Sequence, residues 1–239
     1  MTTPDLNNNV HMSIFEHLEE LRQRIFTALT IFIITSTICF LYIENISYLL
    51  QEPAIGVKFL QLAPGEYFFT SIKIATYTGF MLSSPFTIHQ AMLFVLPGLT
   101  KKETNFIIPI LISSLSLFFT GIFFAYNILV PAALTFLIEY GKNIVEPMWS
   151  FEQYFNFIFL LLFSTGIAFQ IPIIQIILGI NNIISSKQML KSWKYILFTS
   201  TILGAILTPS TDPLTQAFMA LAMIILYLSG IAILKSIKK

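Results

Sequence analysis

The chain has 239 residues, 56% hydrophobic and only 10% charged, with a net charge of +1 at neutral pH. A soluble domain carries about 25% charged residues because its surface faces water, so this composition excludes a water-soluble globule and leaves lipid as the solvent. A single cysteine, Cys39, excludes an intrachain disulfide and a paired-cysteine redox site.

A polar leader of 13 residues precedes the first predicted element. Ser13 and Glu16 have the form of a capping box, which starts a helix. Phe15, Leu18, Leu21 and Ile25 then recur at three- and four-residue spacing, an apolar stripe suited to a membrane interface. His17, Glu20 and Arg24 follow one another on a neighbouring face. Two readings fit: a lead-in helix whose acids pair with Arg22 and Arg24, or a carboxylate, Glu20, that recognises a guanidinium.

Uncharged runs place the membrane spans at about 25–43, 72–96, 106–130, 153–179, 194–207 and 214–234, since about 20 apolar residues cross a bilayer core. Cys39 is expected as a small buried hydrophobe in the first, and His89 as a satisfied buried histidine in the second. Pro85, Pro109 and Pro172 should bend their helices, with neighbouring helices or hydroxyl side chains answering the freed carbonyls. The loop after the second span brings Glu103, either as a charge favoured by the dipole of the next helix or as the partner of Glu20 in an acidic site. The uncharged runs 104–138 and 153–186 are long, and each is read as one span. Gln170 falls near the middle of the fourth. The fifth run has 17 residues, and Thr208 with Pro209 ends its helix sooner. Seventeen helical residues reach about 26 Å, short of a full bilayer core. Asp212 sits at the following outer turn and Gln216 just inside the sixth span. Polar groups at such depths face other helices or a wet cavity.

Lysine and arginine fix the orientation. With the N-terminus inside, ten of the 13 basic residues lie in inner segments and three, Lys58, Lys73 and Lys142, lie outside. No phosphate-binding loop, GxSxG or HExxH motif occurs, which counts against ATP hydrolysis and an intramembrane protease. A secondary transporter or channel is the main alternative, but it calls for intramembrane charges or repeated halves that this sequence lacks.

The run His17 to Arg24 (HLEELRQR), the Phe68–Phe69 pair, Pro97 with Lys102 and Glu103, the run Phe169 to Pro172 and the turn Thr208 to Asp212 resemble the TatC family in order and spacing, from about residue 13 to 235. The resemblance implies an all-α membrane protein, one domain over 1–239, with six transmembrane helices in a concave glove-shaped bundle after a short amphipathic N-terminal helix. It implies the core receptor of the twin-arginine protein translocase, not an enzyme, without cofactor or metal and driven by the proton gradient. Glu20 and Glu103, with Arg22 and His17 in the same motif, fall on positions that bind the arginine pair of signal peptides. Asp212 and Gln216 match polar positions where single-span TatA/TatB-type partners dock. Gln170 stands where many bacterial members carry a glutamate and resembles plastid members, so hydrogen bonding to a partner helix replaces proton chemistry there. Pro53, Phe68, Pro172 and Pro209 are structural positions. The expected partners are signal peptides of folded cargo, TatA/TatB-type proteins, the lipid bilayer and further copies of the chain, with no nucleic acid. The expected location is the plastid thylakoid membrane, with the bacterial inner membrane as the alternative.

Overall fold

The structure, a computed structural model, describes residues 14–54, 56–95, 101–142, 144, 146–180, 183–207 and 212–237, with 14, 16, 95, 101–106, 207 and 237 described by backbone alone. Ser13 and Pro209 lie outside the described residues. Helix dominates: α1 (Ile14–Leu41), α2 (Ile43–Gln51), α3 (Glu66–Val95), α4 (Lys101–Phe124), a π-helical turn (Ala125–Leu129), α5 (Val130–Gly141), α6 (Phe151–Ala168), α7 (Ile171–Ile180), α8 (Ser186–Lys191), α9 (Trp193–Leu207) and α10 (Pro213–Ile237). The lead-in and the first apolar run therefore form one unbroken helix. Two three-residue strands, β1 (Lys58–Leu60) and β2 (Met148–Ser150), pair in parallel at the outer end.

Four stretches are long and apolar enough to cross a bilayer: His17–Leu41, Ile107–Gly141, Phe151–Ile180 and Pro213–Ser236. Besides the short α2 and α8, the helices α3 and α9 fall outside that set, for different reasons. Hydroxyls from Thr70 to Thr87 stud α3, and α9 has only 15 residues, about 22 Å of helix.

Prolines show how the backbone is satisfied without water. Helix α3 runs unbroken through Pro85, which has no N–H for the Met81 carbonyl; the Ser84 hydroxyl donates to that carbonyl instead, at 2.7 Å. Helix α4 likewise runs through Pro109. By contrast the fourth apolar run breaks at Phe169 and Gln170, where Pro172 cannot bond back to Ala168, and α7 starts anew. The π-helical turn directly precedes Pro131, which withholds a donor from Asn127 and favours a wider turn.

Helix α6 is the centre of the core. Phe155, Ile158, Leu161 and Leu162 pack against Leu129, Val130 and Leu134, against Ile74 of α3 and against Met219 and Met223 of α10. Helix α1 touches mainly α3 and turns the rest of its surface outward, with Phe26, Ile33 and Ile34 exposed to what a bilayer fills with lipid. The α1–α3 crossing needs Gly79: a Cβ there would lie 2.7 Å from the Ser36 Cα, inside any real contact. Cys39 is buried. His89 is not: it lies exposed near the inner end of α3, because a position inside a span still has a face that meets no other helix.

Candidate functional site

The inner end of the α1–α3 pair gathers the first group of expected residues. His17 stacks on Phe94, ring centroids 4.3 Å apart and planes 19° from parallel. Three residues on, the chain carries two Glu–Arg pairs of different character. Glu19 pairs with Arg22, and both side chains are more than half exposed, so water and salt screen the pair. Glu20 Oε1 accepts from Arg24 Nη2 at 3.1 Å, with the glutamate side chain only 17% exposed and the arginine 34%. Arg24 Nη1 also donates to Gln90 Oε1 of α3 at 3.4 Å, tying the two helices together. The second carboxylate oxygen, Glu20 Oε2, is buried and has no hydrogen-bond partner among the described residues. Glu103 occupies the first turn of α4, and its side chain is outside the described set, so the structure gives no Glu20–Glu103 distance. Sequence reading missed Gln90 and Phe94. The one signal for Gln90 was a polar residue beside His89 at the end of an apolar run.

The three polar residues expected at membrane depth, Gln170, Asp212 and Gln216, bond within the chain. Ser114 Oγ donates to Gln170 Oε1 at 2.5 Å, and Gln170 Nε2 donates to the Ser114 carbonyl at 3.1 Å. The side-chain amide thus joins the break between α6 and α7 to the middle of α4. Asp212 is buried and caps α10, its Oδ2 accepting from the Thr215 N–H at 2.6 Å. Gln216 Nε2 donates to the Thr201 carbonyl of α9 at 3.3 Å. Pro172 opens α7, Pro53 lies in the turn after α2, and Phe68 is exposed, its ring edge-on to Phe69 at 5.7 Å.

At the outer end sits a residue the sequence did not single out. Buried Glu66 accepts from the N–H groups of Leu62, Ala63 and Glu152 and from the Ser150 hydroxyl, the last at 2.8 Å. Hydrogen bonds from Glu152 and Ser150 hold its pKa down at about 2. Beside it Lys73 pairs with Glu152. Tyr126 and Tyr154 each donate a 2.6 Å hydrogen bond, to the carbonyls of Leu49 and Leu50, answering the open C-terminal carbonyls of α2. No group of three or more metal-ligating side chains occurs among the described residues.

This arrangement coincides with a known family. Residues 16–221 match the TatC family, described as Sec-independent protein translocase protein. The chain belongs to the TatC family. A tatC-like protein, ycf43, of Gracilaria tenuistipitata var. liui is 69% identical over 235 residues, covering 98% of this chain and 99% of that protein. The TatC protein of Synechocystis sp. is 49% identical over 242 residues, covering 100% of this chain and 95% of its own. The chloroplastic TATC of rice is 47% identical over 227 residues, 94% of this chain and 63% of the rice protein. A crystal structure titled as the twin arginine translocase receptor TatC superposes with a TM-score of 0.75 at 33% identity, covering 94% of this chain and 100% of the other. TatC proteins are translocase components and not enzymes, which sets aside the protease reading. This member is a multi-pass plastid membrane protein.

Proposed function

We propose that this TatC chain is the receptor subunit of a twin-arginine translocase, binding signal peptides with consecutive arginines at the inner end of α1 and α3. The observation that carries the reading is the buried Glu20 oxygen with no partner among the described residues. A buried anionic oxygen without a donor costs about 1–3 kcal/mol or more, and a guanidinium supplies the planar, charged donor that best relieves it. Glu103, on the first turn of α4, would take the second arginine, with Arg22 and His17 completing the motif. The matched crystal structure's own title, twin arginine translocase receptor, supports the same role.

The peptide's apolar segment would then run along the protein. A pocket of about 810 Å³ between α2, α3, α4 and α6, lined by Leu50, Met81, Phe119 and Phe159 among others, offers an apolar path. Six crossings are part of the proposal, α3 sheltered along α1 and α9 along α10, in the spans 25–43, 72–96, 106–130, 153–179, 194–207 and 214–234. Bound cargo would nucleate assembly with TatA/TatB-type helices and further copies of the chain in the thylakoid membrane. Gln170, Asp212 and Gln216 would serve by holding the α9–α10 corner and the α6–α7 break in shape for those partners, with Pro53, Phe68, Pro172 and Pro209 structural. A signal peptide with a photoreactive group beside its arginine pair tests the reading. Glu20→Ala and Glu103→Ala should each abolish crosslinking to the chain in proteoliposomes. Undiminished crosslinking in both would remove the site.

A further inference from the structure

We propose that Arg24, braced by Gln90, is a positioning residue that fixes the plane of the Glu20 carboxylate and thereby makes the site choose arginine over lysine. This rests on the reading of Glu20 as the acceptor of a cargo arginine.

The geometry separates Arg24 from an ordinary ion-pair partner. Its guanidinium touches one carboxylate oxygen through one nitrogen, at 3.1 Å. A carboxylate offers about four lone-pair positions on two oxygens, and the single-point contact leaves Oε2 buried and without a partner among the described residues. The guanidinium donates through its other terminal nitrogen to Gln90 of α3 at 3.4 Å. Arg24 is therefore a bridge between two helices, and Glu20 leans against a fixed object. The exposed Glu19–Arg22 pair, with no third partner among the described residues, lacks that constraint.

A fixed carboxylate plane matters for selectivity more than for attraction. A guanidinium gains from a planar acceptor because its donors form a rigid fork, whereas an ammonium is a compact, strongly hydrated charge that gains little from orientation. Loss of the brace should thus weaken arginine recognition while leaving lysine binding nearly as poor as before.

The test uses the full chain in lipid nanodiscs and two synthetic signal peptides, one with adjacent arginines and one with lysines in their place, measured by fluorescence anisotropy. Arg24→Gln should weaken the arginine peptide by about tenfold, the scale of one hydrogen bond to a charged group, and change the lysine peptide little. Arg24→Lys, which keeps the charge but loses the fork, should fall between. Gln90→Ala, which leaves the ion pair in place, should shift selectivity the same way by a smaller factor and stands in if Arg24→Gln does not fold. In a Glu20→Ala background, Arg24→Gln should add no further loss. An equal loss for both peptides, or no loss, overturns the positioning role while the receptor reading survives. Unchanged arginine-peptide binding by Glu20→Ala overturns both.

Discussion

The two ends of the α1–α3 pair handle polar groups in opposite ways. At the outer end Glu66 receives four donors, the tyrosine hydroxyls of Tyr126 and Tyr154 close the last turn of α2, and β1 pairs with β2. At the inner end the Glu20 carboxylate receives one donor among the described residues and keeps a buried oxygen without one. That contrast locates where a scaffold can bind. Saturated hydrogen bonds make a lock, because removing any member strands its partners. An unsaturated, oriented acceptor makes a receptor, because a ligand completes it. Stability should therefore concentrate at the outer end and recognition at the inner one.

Substitutions can break this contrast, beginning with the most damaging. Glu66→Ala strands three N–H groups and a hydroxyl at once, and should give the largest fall in the thermal midpoint of detergent-solubilised protein. Its pH dependence sharpens the point. Glu66 has a folded pKa of about 2 against about 4.3 for a free glutamate. A depressed carboxylate contributes stability that is complete above the unfolded pKa and lost as pH falls through the folded one. The midpoint should hold between pH 8 and about 5 and decline below about 4.3 toward 2, and Glu66→Gln should flatten that decline.

Gly79→Leu comes next. The added side chain must push the Ser36 backbone away, and overpacking of this kind costs about 1–3 kcal/mol. Unlike Glu66→Ala it should also weaken signal-peptide binding, because it separates the helices that Arg24 and Gln90 join. Tyr154→Phe leaves the buried Leu50 carbonyl without its donor and should cost about 1–2 kcal/mol, measured by denaturant unfolding in mixed micelles. The smallest effect belongs to Gln170→Ala, which removes both bonds to Ser114. Interhelical hydrogen bonds in bilayers contribute only about 0.6–2 kcal/mol. Normal peptide binding by this variant would confine Gln170 to holding α4 against the α6–α7 break.

How much of this the sequence could reveal depends on the distance over which each feature is encoded. Charge-free runs mark apolar helices locally, and the short α9 follows from one such run between Lys194 and Asp212. The Glu20–Arg24 pair spans four residues and was legible as one of two readings. The brace from Gln90 lies 66 residues from Arg24, and the donors to Glu66 from Ser150 and Glu152 lie 84 and 86 residues away; no local pattern carries such contacts. Strands of three residues show no periodicity, so β1 and β2 left no trace. The widened turn before Pro131 escaped notice because proline inside an apolar run can be answered by a hydroxyl, as at Pro85, or by a change of helix, and sequence does not choose between them. His89 taught a similar lesson. Depth in a span does not decide burial, since α3 has an outward face.

The most direct test measures Glu20→Ala and Glu66→Ala side by side, each for arginine-peptide binding and for thermal midpoint. A division of labour between the ends predicts a crossed result: Glu20→Ala loses the peptide and keeps its midpoint, while Glu66→Ala loses its midpoint and, held below it, still binds. Retained binding by Glu20→Ala, or a midpoint unmoved in Glu66→Ala, would contradict the account.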